Sequence, residues 1–265
     1  MSFPSRLALP LILLLLSLAG CASSPPNAHG EFVAREVKVD GRTHRYQVFV
    51  PATHGARGRL PAILFLHGSG ERGDDNQAQL KVGLPAYLRE HRDDFPALVV
   101  IPQAPEDSEW TTDAGPIALA ALDAAMREFD VDPQRVYLTG LSMGGYGSYE
   151  LALQQPRRFA AVVPVCGGLT VDWTDARPQM QAHSVAGATD PFAAAAEKLK
   201  DTPIWIFHGA KDDAVPPAQS RRMYAALLAA GGNVKYTEFP EANHNSWDPA
   251  YATAELWPWL FGQHR

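Results

Sequence analysis

Ser142 sits in Gly140-Leu141-Ser142-Met143-Gly144-Gly145-Tyr146-Gly147, after the alternating run Arg135-Val136-Tyr137-Leu138-Thr139 and before an amphipathic segment reaching about Gln155. A Gly-x-Ser-x-Gly between a strand and a helix makes a nucleophile elbow. Gly140 and Gly144 let the two elements approach closely. The turn exposes the Ser142 hydroxyl and aims free N–H groups, at the positive end of the helix dipole, toward a reacting carbonyl. One oxyanion donor is then the amide of Met143. A serine hydroxyl is a poor nucleophile until a base takes its proton, so a histidine is required. Of nine histidines, His29 and His54 fall in a tether or early loop, His44 opens a strand, and His264 lies in the tail. His91 and His183 lack a strand-end context. His67 and His208 each precede a glycine after an apolar run, where they shape turns. His244, in Glu241-Ala242-Asn243-His244-Asn245-Ser246-Trp247, follows the last strand and comes late enough for the chain order Ser, Asp, His. Its imidazole needs a buried acceptor to hold its tautomer. Asp212 and Asp213 both qualify, and Asp190, in an irregular stretch before that strand, is a third candidate.

These residues need a scaffold that brings them to one place. The alternating segments 33–39 and 44–50 flank Asp40-Gly41 and read as an antiparallel hairpin. Residues 62–66, 98–102, 159–165 and 203–207 are continuous apolar runs, the pattern of strands buried on both faces, and 234–239 is a last strand. Helical spacing marks 81–92, 117–129, 217–230 and a closing helix over 249–261. Strands alternating with helices predict an α/β fold. Its mostly parallel central sheet carries helices on both faces and an antiparallel N-terminal edge hairpin. Each chemically suggestive residue falls at a C-terminal strand end, where such sheets bind ligands. Trp110, Trp173 and Trp247 stand near those ends and are candidate cleft-lining residues, whereas Trp257 and Trp259 belong to the core. Cys166 reads as a buried apolar filler, or as a wall of the acyl pocket. Glu71 and Arg72 either meet a polar substrate or pair with each other.

Leu66-His67-Gly68-Ser69-Gly70, the elbow, Gly209-x-x-Asp212-x-x-Val215-Pro216 and His244 together resemble the α/β-hydrolase superfamily. More narrowly the chain is similar to its carboxylesterase/phospholipase and dienelactone hydrolase-like branch, including proteins labelled predicted peptidases. Gly70-Glu71-Arg72-Gly73-Asp74-Asp75-Asn76 adds to the likeness, which runs from about residue 33 to 261. The resemblance implies Asp212 as the triad acid and, as in esterases carrying His-Gly-x-Gly, the Ser69 N–H as second oxyanion donor. Dienelactone hydrolase itself uses a cysteine nucleophile. Ser142 here favours ordinary ester hydrolysis.

The remaining expectations concern place and partners. Arg6 precedes the apolar run Leu7–Leu18, too short for a comfortable membrane span, which ends in Leu18-Ala19-Gly20-Cys21. That ending resembles the bacterial lipoprotein box. It implies a signal peptide over 1–20, lipidation at Cys21, a flexible tether over 21–31 and a catalytic domain over 32–265. With Ala22 after the cysteine, the resemblance points to an outer-membrane anchor facing the periplasm or the exterior. Only Cys21 and Cys166 are present, so a lipidated Cys21 leaves no internal disulfide. A net charge of −6 excludes a basic nucleic-acid-binding stripe. No metal or organic cofactor is implied. The expected activity is a serine esterase acting on short-chain or polymer-attached esters of acetyl or feruloyl type. No peptide-gating domain is expected, which ranks a serine peptidase lower. A non-catalytic binding lipoprotein on the same fold is the alternative from another class.

Overall fold

Asp40 and Gly41 adopt φ of 49° and 77°, closing a tight turn between β1 (Glu31–Val39) and β2 (Arg42–Val50). The computed structural model describes residue 1 and residues 29–55, 58–171 and 180–265. Residues 1–20, Cys21 and Trp173, for which expectations were drawn, therefore lie outside the described residues except for Met1. The hairpin forms one edge of an eight-stranded sheet ordered β1-β2-β4-β3-β5-β6-β7-β8. The remaining strands are β3 (Leu60–Leu66), β4 (Leu98–Pro102), β5 (Val131–Leu141), β6 (Ala161–Val165), β7 (Ile204–Gly209) and β8 (Val234–Phe239). β2 pairs antiparallel with β4, and from β4 onward every pairing is parallel.

Strands β3, β4, β6 and β7 are buried along their whole length, as continuous apolar runs covered on both faces require. Successive side chains alternate between two cores. Ala62, Leu64 and Leu66 pack under α2 (Ala114–Glu128), α3 (Met143–Gln154), α4 (Pro191–Leu199) and α5 (Ala218–Ala229). Ile63 and Phe65 face α1 (Leu84–Glu90), α6 (Trp247–Tyr251) and α7 (Leu256–Phe261). Each fully buried Leu, Ile or Phe in these layers contributes about 1.5–3 kcal/mol.

Three elements differ from expectation. The segment after the elbow, read as amphipathic, is α3, buried from Met143 to Leu153 with no exposed face. The stretch read as irregular before β7 contains α4, and Asp190 is its N-cap, accepting hydrogen bonds from the amides of Phe192 and Ala193. That engagement, with Pro191 in the first turn, marks a helix start and not a catalytic acid. The expected single closing helix is two, α6 and α7. The break folds Trp257 back over Tyr251, with the rings stacked at 6.2 Å and the indole N–H on the Tyr251 carbonyl at 3.1 Å. Trp257 and Trp259 are core contacts as read, Trp257 against Phe95 and Trp259 against Trp205.

Candidate active site

Strand β5 delivers Ser142 to the start of α3 with φ 54° and ψ −116°, a conformation L-residues rarely adopt. The neighbours hold it there. A Cβ on Gly140 would stand 2.3 Å from the Gly144 carbonyl oxygen, and one on Gly144 would stand 2.0 Å from that of Leu66. Only glycine permits this approach. The Ser142 amide donates to Val165 of β6 at 3.0 Å, and its carbonyl accepts from the amides of Gly145 and Tyr146.

His244 arrives from the loop after β8. Its Nε2 lies 2.9 Å from Ser142 Oγ and its Nδ1 lies 2.8 Å from Asp212 Oδ2. Because Nδ1 faces a carboxylate it carries the proton, and Nε2 is left to accept from the serine hydroxyl. The loops after β7 and β8 pack tightly enough that a Cβ on Gly209 would stand 2.2 Å from the Asn243 carbonyl oxygen. Asp212 is buried while Asp213 is exposed, which separates the two candidates by geometry. The Asp212 Oδ1 atom accepts from the amides of Ala214 at 2.9 Å and Val215 at 2.8 Å. Burial opposes its ionisation, but hydrogen bonds from His208, His244 and the Val215 amide outweigh burial and hold the carboxyl far below the usual range.

The loop after β3 runs beside the serine. A Cβ on Gly68 would stand 3.7 Å from Ser142 Cβ. Neither the Ser69 nor the Met143 amide donates to an acceptor among the described residues, so both remain free for an oxyanion. Arg72 braces this loop, reaching the Ser69 carbonyl at 3.4 Å and the Ser108 carbonyl at 2.8 Å. It forms a nearly buried ion pair with Glu109 and does not pair with Glu71, its chain neighbour. Burial pushes the Glu71 carboxyl up, against the opposing pull of the Gly68 and Glu71 amides.

Of the tryptophans near strand ends, Trp247 packs its ring edge-on to His244 at 5.6 Å, beside the site. Trp110 does not line a cleft. It is fully buried, donates its indole N–H to the His67 carbonyl at 2.9 Å, and fills space left by Gly147, where a Cβ would stand 2.3 Å from its own. The largest apolar side chain available here supports the loop after β3 from beneath. Cys166 is buried, as a filler residue should be, with φ 40°. Its sulfur, a carboxylate oxygen of Asp212 and a ring nitrogen of His244 lie within 4.8 Å of one another, and burial pushes the thiol up. Sequence reasoning did not foresee two features. One is the closeness of Cys166 to Asp212 and His244, beyond the acyl-pocket wall that the sequence offered as its alternative. The other is a second imidazole on Asp212, that of His208, whose place at the end of β7, four residues before the acid, was the available signal.

Residues 118–261, more than half of the chain, match the family described as the prolyl oligopeptidase family. A protein of Nocardia uniformis subsp. tsuyamanensis, provisionally named esterase NocK, is 31% identical over 224 residues, covering 78% of this chain and 62% of that protein. A Bacillus subtilis (strain 168) protein named peptidase YuxL, itself uncharacterised, is 30% identical over 141 residues, 48% of this chain and 21% of its own. Among solved structures, a thermostable esterase superposes with a TM-score of 0.71 at 32% identity, over 88% of this chain and 63% of that one. The chain thus spans less than two thirds of the length of each. The shared architecture is the α/β-hydrolase fold expected from the motifs.

Proposed function

Because the chain belongs to the prolyl oligopeptidase family and is on that ground a serine hydrolase, we propose that it hydrolyses carboxylic esters through Ser142, His244 and Asp212. One observation carries the reading: the continuous hydrogen-bonded path from Asp212 through His244 to the strained serine. His244 Nε2 takes the Ser142 proton as Oγ attacks the acyl carbonyl, and Asp212 stabilises the imidazolium that forms. The amides of Met143 and Ser69 receive the oxyanion. The imidazolium then protonates the departing alkoxide, leaving an acyl-serine, and the same imidazole activates the water that releases the acid.

The ester reading draws support from the extent of two of the resemblances. Esterase NocK and the thermostable esterase match at 31–32% identity over 78–88% of this chain, whereas YuxL, a peptidase-named protein, matches at 30% over 48%. His244 keeps 24% of its side chain open to solvent, so the leaving-group side of the site admits an alcohol still attached to a bulky carrier. Short acyl groups on polymers, acetyl or feruloyl, are the proposed substrates. The Leu18-Ala19-Gly20-Cys21 box supports a lipid-anchored protein at the outer membrane, working on such material outside the cytoplasm.

Turnover of p-nitrophenyl acetate, butyrate and palmitate, beside peptide p-nitroanilides, tests the reading. Acetate and butyrate should be hydrolysed faster than palmitate, and Ser142→Ala should lower turnover by at least about 10⁴-fold. Cleavage of anilides alone would establish the peptidase reading, which the family's description favours. Silence toward both panels, with no fluorophosphonate labelling, would leave a binding protein.

A further inference from the structure

Asp212 is gripped by two imidazoles. Besides His244, His208 at the end of β7 brings its Nε2 to 3.1 Å from Oδ2, the same oxygen that His244 holds, and both side chains of this second contact are wholly buried. The proton placement on His208 follows from its neighbours. Nε2 faces two acceptors, Asp212 Oδ2 and the Val215 carbonyl at 3.0 Å, so Nε2 bears hydrogen. Nδ1 lies 2.6 Å from Ser220 Oγ of α5, whose hydroxyl donates to it. The ring is thereby clamped between α5 and the acid loop. We infer that His208 is a positioning residue for the serine nucleophile, its Nε2–H holding Asp212 Oδ2 in the orientation that aligns His244. The inference rests on the Ser142 reading above.

A space-filling ring would not need a donor aimed at the oxygen that orients the base. The chemistry of that oxygen supplies the reason. When His244 becomes an imidazolium, Oδ2 must balance its charge without taking its proton. A second N–H on Oδ2 lowers the proton affinity of the carboxylate, so the proton stays on His244 Nδ1. Hydrogen bonds from His208 and His244 hold the Asp212 carboxyl in its ionised form against the opposing effect of burial. The other titratable groups around this pair are Cys166 at the end of β6 and Glu238 on β8. Glu238 is occupied by Arg221 at 2.7 and 2.8 Å and by the Tyr236 hydroxyl. The His208 contact therefore does not depend on it.

Two near-isosteric variants separate positioning from packing. Glutamine can place an N–H where His208 Nε2 stands, whereas asparagine reaches only the position of Nδ1, near Ser220. The readout is the rate at which a fluorophosphonate phosphonylates Ser142, forming the Oγ–P bond with loss of fluoride, from about pH 5 to 9. Thermal melts of the same proteins report stability. His208→Asn should slow phosphonylation about 10- to 100-fold and move its acid limb to higher pH, as Oδ2, relieved of one donor, draws the proton on His244 Nδ1 more strongly. His208→Gln should stay within about threefold of the parent, with the limb unmoved. An Asn variant that reacts like the parent overturns the inference. So do Gln and Asn variants equally slowed with an unmoved limb and equally lowered melting, since that is packing alone. A parent that phosphonylates but hydrolyses no ester sinks the esterase reading and leaves this test intact, whereas a parent unreactive at Ser142 overturns both.

Discussion

His67 and His208 look alike in the sequence, each ahead of a glycine where a buried strand ends, and both are fully buried in the fold. Their partners differ. His67 donates from Nδ1 to the Gly68 carbonyl at 2.6 Å and accepts at Nε2 from the Ala104 amide at 3.0 Å, so it is held neutral beneath the loop after β3. Burial pulls it down to about 4, with the Gly68 carbonyl opposing and Arg72 assisting. The unfolded chain therefore binds the extra proton between pH 6.5, the ordinary value, and about 4. His67's contribution is complete above that window and declines as acid is added, by about 3 kcal/mol at pH 4. Urea unfolding at a series of pH values should show this decline, and His67→Gln should flatten it. Asp212, with its carboxyl depressed, acts lower down: its contribution is present above the ordinary carboxylate pKa and is lost only below it. Ser142, His244 and the choice between two acids could be read from residue types and chain order. That Asp212 faces inward while Asp213 faces solvent could not, because adjacent loop residues carry no period that assigns them sides.

Elements were legible where a single period governed them. The runs at 98–102 and 234–239 are strands with the expected bounds, because apolar continuity and flanking turn residues act locally. Helix α4 was missed although Asp190-Pro191 supplies both an N-cap and a first-turn proline. The break between α6 and α7 depends on Trp257 meeting Tyr251, a packing event that periodicity does not contain. The glycines of the elbow were read correctly as points of close approach, and the distances give that reading a magnitude. Gly144→Ala would drive a Cβ to 2.0 Å from backbone oxygen and should cost at least about 2 kcal/mol in denaturant unfolding. Gly187→Ala meets nothing within 4 Å and should change stability by no more than about 0.5 kcal/mol. Equal effects at the two positions would show that the elbow yields where the structure has it rigid. Gly145 and Gly167 form a second close approach, where a Cβ on Gly145 would stand 2.7 Å from the Gly167 Cα, and neither was singled out beforehand.

At the scale of the whole molecule, no helix among the described residues is long and apolar enough to cross a membrane. The lipid anchor proposed at Cys21 is tested separately. Cys21→Ser should abolish incorporation of labelled palmitate in a bacterial host and move the protein from the membrane fraction to the soluble fraction. Labelling that persists in the variant would refute lipidation at that residue. The amino-acid order alone determined the layered α/β class, the Gly-x-Ser-x-Gly turn that carries Ser142, and the late position of His244, because each is written in short-range spacing. What only the tertiary structure decided is convergence. The bonds from His244 to Ser142 and to Asp212 span 102 and 32 positions of chain, and His208 shares its oxygen with His244 only because β7 and β8 lie side by side. Distances across so many residues are set by sheet order and loop packing, which depend on every strand between them and leave no local mark.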